Sequence, residues 1–405
     1  VSPAAREELC PLLRSLDRHW GWGRARAAAF RAGEDARSHK SGTRAEARGP
    51  RAMTPAATRG EAGAGRPDHL RRSEARYHRP VRAVVFDAPG AADVLRVREL
   101  ADPRPGPGEL LLDVRAAGVN RADLLQRRGL YPPPPGAPDI LGLEAAGEVL
   151  AVGEGVAGWR PGDRAMALLQ GGGYATRVAA PAACCLPVPE NLSLVEAAAL
   201  PEALATVELA VFRLGELAPG ELLLLHGGSG GVGTLAIQMA VAAGATVIAT
   251  AGGPDRARRI EALGAARGVD HRHEDFAAAV AEASGGRGAD VILDCVGAPY
   301  LPRHLRCLAT GGRLVLIGLM GGRRAEIDLA PLLARRLRVI GTTLRARPLE
   351  ERAAVVAAVR ERWLPAVREG RVRPVIAATL PLERAAEAHR RLERGDRFGK
   401  IVLVP

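Results

Sequence analysis

LLLLHGGSGGVGTLAIQMA, residues 222–240, decides the fold. An apolar run ends in Gly228-Ser229-Gly230-Gly231-Val232-Gly233 and passes at once into a second apolar segment. Gly228, Gly230 and Gly233 make a G-x-G-x-x-G turn between a strand and a helix, where missing side chains let the backbone turn tightly and approach a pyrophosphate. The helix start adds unpaired N–H groups and a favourable dipole. Flanks of this kind separate a nucleotide turn from a merely glycine-rich loop.

Outward from the turn, strand-like runs alternate with helices of about ten residues: ELLLLHG, ATVIATA, VILDCV, RLVLIG and RVIGTTL. Continuous apolar strands between helices imply a parallel sheet covered on both faces. In an NAD site a carboxylate follows the second strand and accepts hydrogen bonds from the ribose 2′-hydroxyl. Here Thr250, Ala251, Gly252 and Gly253 occupy that place, and Arg256 follows. An open Gly253 backbone and a guanidinium suit a 2′-phosphate, hence NADPH. Arg256 also reads as a solvated residue of a first helical turn, beside Asp255, Arg258 and Arg259.

The 405 residues suffice for two domains and a tail, and 47% hydrophobic content marks a globular chain. No apolar run is long enough for a membrane span. The formal charge of +12 is concentrated in residues 1–80, with 17 basic against 9 acidic side chains, so the rest is only mildly basic. That distribution, with 3% aromatic residues, argues against nucleic-acid binding by the folded part. Residues 1–80, rich in Ala, Arg and Gly, read as a disordered basic extension: a translated upstream or non-functional segment, with Met53 as one internal start. Nine acidic residues argue against a transit peptide. Five cysteines without CxxC spacing suggest reduced thiols in the cytoplasm.

Residues 82–86, 95–100, 110–119, 148–152 and 164–168 read as strands of a β-rich module, with a short helix over 122–127. A long helix is expected over 350–368, then a strand near Val375, a helix from Glu383 and a last strand over 401–404.

The glycine turn, NRADLLQRRGLYPPPPG at 120–136, LGLEAAGEV at 141–149, DCVG at 294–297, GLMGG at 318–322 and the terminal FGKIVL together resemble the zinc-free, zeta-crystallin-like quinone oxidoreductase branch of the medium-chain dehydrogenase/reductases. The resemblance covers about residues 81–405. It implies an α/β protein: a GroES-like catalytic domain from 81–200 and 346–405, with a Rossmann-type doubly wound NADPH domain, 201–345, inserted between. It also implies NADPH in the interdomain cleft, Asn120 and Tyr131 on the nicotinamide and substrate side, and Gly318, Leu319 and Leu344 along the cofactor, with Lys400 reaching it from the C-terminus. Relatives commonly dimerise by joining sheet edges, which makes LVLIG or RVIGTTL the candidate edge of a homodimer.

Two departures stand out. Zinc-bearing relatives have GHExxG, whereas Leu143 follows Gly142 here, and Asn120 stands where a cysteine ligand motif begins, so no metal is expected. His271 in GVDH replaces a tyrosine usual beside the 2′-phosphate.

Hydride transfer from a dihydronicotinamide needs alignment more than a strong acid or base. Asn120 suits orienting a carboxamide or substrate oxygen, and Tyr131 suits stacking or donating its hydroxyl; capping of a helix by Asn120 and loop packing by Tyr131 are the plainer readings. Glu144 reads as a buried hydrogen-bonding residue, and Asp294 and Cys295 as strand-end structure. Lys400 is one of two lysines in an arginine-using chain. The activity implied is NADPH:quinone reduction; enone or enoyl-thioester reduction is its nearest rival, and an RNA-binding or crystallin-like structural role the alternative of another class.

Overall fold

The computed structural model describes residues 80–405, so the expectation for the basic extension falls outside the described residues save for Pro80. The strands, in chain order, are β1 (Val81–Val85), β2 (Arg96–Leu100), β3 (Glu109–Val119), β4 (Glu144–Val152), β5 (Arg164–Leu168), β6 (Arg177–Pro181), β7 (Cys185–Pro187), β8 (Leu222–Leu225), β9 (Thr246–Ala251), β10 (Arg267–Asp270), β11 (Ala289–Asp294), β12 (Leu308–Leu316), β13 (Arg338–Gly341), β14 (Ile376–Pro381) and β15 (Lys400–Val404). The helices are α1 (Arg121–Arg127), α2 (Leu194–Ala197), α3 (Pro201–Val207), α4 (Gly231–Ala242), α5 (Pro254–Glu261), α6 (Phe276–Ala283), α7 (Leu301–Cys307), α8 (Ala330–Ala334), α9 (Leu349–Arg362), α10 (Leu364–Arg368) and α11 (Ala385–Arg394).

Strands β8 to β13 form a six-stranded parallel sheet in the order β10-β9-β8-β11-β12-β13, the doubly wound arrangement whose switch point lies between β8 and β11. Its continuous apolar strands follow from burial on both faces. Leu223 and Leu225 join one core with Leu235 and Ile237 of α4, while Leu222 and Leu224 join another with Phe276 and Val280 of α6. Successive side chains alternate across a strand, so a two-sided core needs apolar residues at every position.

The second sheet runs β14-β15-β3-β4-β5-β7, with β6 also paired to β3. One side of β3 carries β4; the other carries β6 near its start and β15 near its end. This sheet draws its strands from residues 109–187 and 376–404, on either side of the parallel sheet in sequence. In β15 the alternation itself joins the two: Ile401 and Leu403 lie in the β-rich core, whereas Val402 lies in the core shared with α4. Val81–Val85 and Arg96–Leu100 make a separate antiparallel pair. Among the described residues no helix is long and apolar enough to cross a membrane.

One expected helix differs in form, and a second segment is π-helical. The long C-terminal helix breaks at Trp363, whose indole N–H donates to Glu208 at 2.8 Å. Glu208 opens a π-helical segment, Glu208–Leu214, that continues α3 and holds this buried carboxylate against Arg362 as well. The wider π turn has no signature in apolar periodicity.

Helix α1 is tied to α11 by a buried cation. Arg127 donates to the Gly90 carbonyl (3.1 Å), to His389 Nδ1 (3.3 Å) and to Glu393 (2.5 Å), while Arg128 reaches the same carboxylate from the surface at 2.6 Å. Removing one partner of a buried pair strands the other, whereas an exposed pair contributes little. Arg127→Met is expected to lower the unfolding free energy in guanidinium chloride by about 3 kcal/mol. Arg128→Met should cost less than about 1 kcal/mol. Equal losses would mean that the buried cation is not what holds α11.

Candidate functional site

The glycine turn joins β8 to α4. A side chain at Gly228 would place its first carbon 2.8 Å from Ile260 Cδ1, and one at Gly233 would meet the Gly227 carbonyl oxygen at 2.2 Å. Both positions exclude a side chain. Gly228 N–H is bonded to the Thr250 carbonyl at 2.8 Å, pinning the turn to the end of β9. The N-terminus of α4, from Gly231 through Val232 to Gly233, presents N–H groups to the junction of the two sheets. That backbone fits the pyrophosphate of a dinucleotide. The C-terminal segment lies alongside: Gly399 N–H donates to the Ser229 carbonyl at 2.8 Å, Gly230 and Gly399 form an isolated bridge, and the Lys400 stem packs over Gly231.

At the end of β9, Gly253 adopts a positive φ of 103° as the cap of α5. His271 and Arg272 face Gly252, and both are exposed. Arg272 was absent from the sequence expectation. Arg256 turns one guanidinium nitrogen to the Gly395 carbonyl at 2.6 Å, at the end of α11. Nearby, burial, with Arg121 and Arg256 beside it, pulls Arg397 down to about 10. The absence of a carboxylate at this end of the site needs correction. Asp270, from the neighbouring strand β10, accepts from Gly253 N–H (2.8 Å) and Arg272 N–H (3.2 Å). The Gly253 bond holds its carboxyl below the usual range. Asp270 lies on β10, the parallel neighbour of β9, and not on β9 itself.

At the opposite end of the turn, Asn120 is the N-cap residue of α1, in a capping box with Asp123, which accepts from the Asn120 backbone N–H at 2.7 Å. The Asn120 side chain is engaged across the site as well: its Nδ2 donates to Glu144 at 2.8 Å and its Oδ1 accepts from Lys400 Nζ at 2.6 Å. Lys400 also pairs with Glu144, and all three side chains are buried. Gly118 makes room for the Glu144 carboxylate, because a carbon there would overlap it at 2.1 Å. The second Glu144 oxygen accepts from the Glu202 N–H at 3.0 Å, at the first turn of α3.

Asp123 ends a hydrogen-bonded chain with a consistent direction. Arg127 donates to His389 Nδ1, His389 Nε2 lies 3.2 Å from the Tyr174 hydroxyl, and that hydroxyl donates to Asp123 at 3.1 Å. Burial pulls His389 down to about 3, so it is neutral and carries its proton on Nε2. Burial raises Asp123 to about 6, against the bonds from Asn120, Gly142 and Tyr174 that favour its charge. Glu202, a partly buried residue, is pushed up to about 8 by burial first and by the Glu144 charge second. Burial and the same Glu202 raise the Tyr131 phenol, whose ring centroid lies 5.7 Å from the guanidinium carbon of Arg345.

Gly318 approaches the Cys295 carbonyl, where an added carbon would stand 3.1 Å away, and Leu319 is exposed beside it. The expectation for Leu344 changes: its side chain is buried in the core with Val355 and Val356, and its neighbour Arg345 carries the polar group near Tyr131. Glu202 and Arg345 were missed, since neither stands out in a chain full of Glu and Arg. His226, Asp294 and His304 converge beneath the glycine turn with donor atoms within 4.8 Å. The two Nε2 atoms lie 2.8 Å apart, and burial holds both imidazoles below their usual range, His304 at about 3, so an N–H···N bond between neutral rings accounts for the contact.

Residues 106–190 match the alcohol dehydrogenase GroES-like domain and residues 231–360 the zinc-binding dehydrogenase family. The human synaptic vesicle membrane protein VAT-1 homolog is 33% identical over 347 residues, covering 80% of this chain and 86% of the relative. Human quinone oxidoreductase is 31% identical over 329 residues, covering 80% and 97%. The crystal structure of Escherichia coli quinone oxidoreductase complexed with NADPH superposes with a TM-score of 0.73 at 30% identity, over 80% of this chain and all of that one. The chain belongs to the medium-chain dehydrogenase/reductase family, and it is an oxidoreductase of that family.

The raised Glu202 carboxyl has a stability consequence. In the unfolded chain it releases its proton near the ordinary 4.5, and in the folded chain only near 8. Between these values the folded state binds more protons, so stability falls as pH rises through the window. Glu202→Gln removes this dependence. The thermal midpoint of the variant should gain on the parent steadily from pH 5 to pH 8 and then level off; a pH-independent gap in calorimetry would show that Glu202 titrates normally.

Proposed function

We propose that the chain is an NADPH-dependent quinone oxidoreductase that works without zinc. The observation that carries this reading is the Asn120–Lys400–Glu144 cluster, set directly against the glycine turn. Relatives that bind zinc place a metal ligand at the Asn120 position, but here both polar ends of Asn120 are committed, one to Glu144 and one to Lys400. The other ligand position is Leu143, an apolar side chain in the buried interior. NADPH bound along the turn supplies a hydride to the acceptor. The α4 N-terminus would hold the pyrophosphate, and the Lys400–Asn120 pair would hold the carboxamide side. Tyr131 would cover the acceptor, and Arg256, Arg272 and His271 would surround the 2′-phosphate.

Activity should survive exhaustive dialysis against a chelator. Loss of turnover restored by zinc would overturn the zinc-free reading. Cofactor choice is tested by calorimetry at fixed ionic strength, since exposed ion pairs are screened by salt. One charge-assisted pair is worth about 1.5–3 kcal/mol, or roughly 10-fold to 150-fold in affinity. Arg256→Ala and Arg272→Ala should each weaken NADPH at least about tenfold while barely changing NADH, and His271→Ala should have a smaller effect. Equal parental affinity for the two cofactors would defeat the NADPH reading. Steady-state rates with naphthoquinones, ortho-quinones and alkenals decide between quinone and enone reduction.

The same reading places the enzyme in the cytoplasm, in keeping with the unpaired Cys184, Cys185, Cys295 and Cys307. It also makes the chain a homodimer through β13. That strand ends the parallel sheet, and the exposed Val339, Leu333 and Leu329 on or before it give the edge an apolar surround.

A further inference from the structure

Arg345 is buried, with only 4% of its surface exposed, and a guanidinium cannot shed its charge in a protein. Its Nε donates to the Gln170 carbonyl at 2.7 Å, and the Gln170 side-chain amide returns a bond of 2.7 Å to the Arg345 carbonyl. Arg352 holds the other end of that amide at 3.0 Å. The arginine is therefore fixed in place. Yet both terminal nitrogens, NH1 and NH2, are buried without a hydrogen-bond partner among the described residues. Unpaired buried donors on a charged group are costly, and a bound ligand, ion or water that supplies the missing acceptors lifts that cost.

The surroundings define that ligand. The Tyr131 ring lies to one side of the guanidinium. Asp123 and Glu202 are the carboxyl groups that act on it electrostatically. Asp123 already accepts from the Asn120 and Gly142 backbone and from Tyr174. The Glu202 backbone N–H donates to the Glu144 carboxylate on β4 at 3.0 Å; Lys400 on β15, Asp123 on α1, and Tyr131 and Arg345 on loops act on its carboxyl electrostatically, and burial raises it to about 8. The position thus combines a buried guanidinium with two unpaired donor nitrogens and a raised carboxyl near an aromatic ring. An oxygen on which negative charge develops matches it.

We propose that Arg345 binds the acceptor oxygen of the reaction and that Glu202 delivers the proton to it. The inference rests on the hydride-transfer reading above, whose cofactor is the reductant. Hydride addition to a quinone or enone moves an electron pair onto the carbonyl oxygen, and the Arg345 fork stabilises that oxyanion. The Glu202 O–H bond then breaks as a new O–H bond forms on the acceptor, leaving a carboxylate that takes its proton back from solvent through its exposed edge. Two electrons and two protons reach the acceptor in all, one proton within the hydride.

Arg345→Met, Arg345→Lys and Glu202→Gln are compared with the parent by two measurements. The first needs no turnover: 4-nitrophenol, inert to hydride transfer, is titrated in and its phenolate band is followed. The parent should bind the phenolate form; Arg345→Met should weaken that binding at least about tenfold, and Arg345→Lys should retain part of it. The second is turnover of a naphthoquinone. Arg345→Met should lower kcat about 100-fold or more with NADPH affinity unchanged. The parent kcat should fall above about pH 8, and Glu202→Gln should give a low rate without that fall. Parental phenolate binding in Arg345→Met would overturn the role of the arginine, and a parental rate and pH profile in Glu202→Gln would overturn that of the acid. If Arg345→Met does not fold, Arg345→Lys decides, since full parental behaviour in it counts against a forked contact. Should no quinone or enone be turned over by the parent, hydride transfer itself fails, while the phenolate titration still decides the anion site.

Discussion

The pairing of Lys400 with Glu144 and Asn120 is the interaction on which the rest of the structure depends. Burying an ammonium and a carboxylate costs several kcal/mol per ion, and the cost is offset only if the remaining donors and acceptors are also satisfied. Here Asn120 bridges the pair, Glu144 takes a further bond from the Glu202 backbone, and Gly118 leaves the space. Four segments far apart in sequence are bound by it: the end of β3, the start of β4, the start of α3 and the first residue of β15. The Lys400 stem at the same time lies on Gly231, so the charge cluster also fixes the distance between the β-rich sheet and the nucleotide turn.

Once that pair is formed, other acids close to it are pushed toward neutrality. Glu144 pairs with Lys400, and its carboxylate adds to the burial that raises Glu202, whose own burial contributes most. A neighbouring like charge disfavours ionisation, which adds to the effect of burial on Glu202. Asp123 lies between, raised by burial and restrained by three hydrogen bonds. Its relay through Tyr174 and neutral His389 to Arg127 orients the end of α1 without adding a charge to the site.

How much of this was legible depended on whether a residue announces itself by backbone need or by neighbourhood. Gly228 and Gly233 could be read because no side chain fits there, and Lys400 because a lysine is rare in an arginine-using chain. The strands followed from apolar runs that serve two cores at once. Arg345 could not be read, since its meaning lies in what it fails to contact, and arginine is common throughout. Asp270 escaped because its strand lies next to β9 in space but follows it by a whole helix. Leu344 packs in the core with Val355 and Val356, and the next residue, Arg345, carries the cation near Tyr131. The π turn at Glu208 was invisible because a buried carboxylate, not periodicity, selects it.

The arginines at the nucleotide end extend the argument from packing to binding. Arg121, Arg256 and Arg397 act on one another closely enough that Arg397 is pulled to about 10, a direction that marks burial and like-charge repulsion in the folded chain. Asp396 offsets part of it, but its carboxylate is engaged by Arg394. On the proposed NADPH reading, an anion that bridges these arginines would relieve that repulsion, which ties the cluster to the phosphate groups of the dinucleotide. The arrangement mirrors that around Arg345. On the reading proposed above, an oxygen of the bound molecules completes each of these cations.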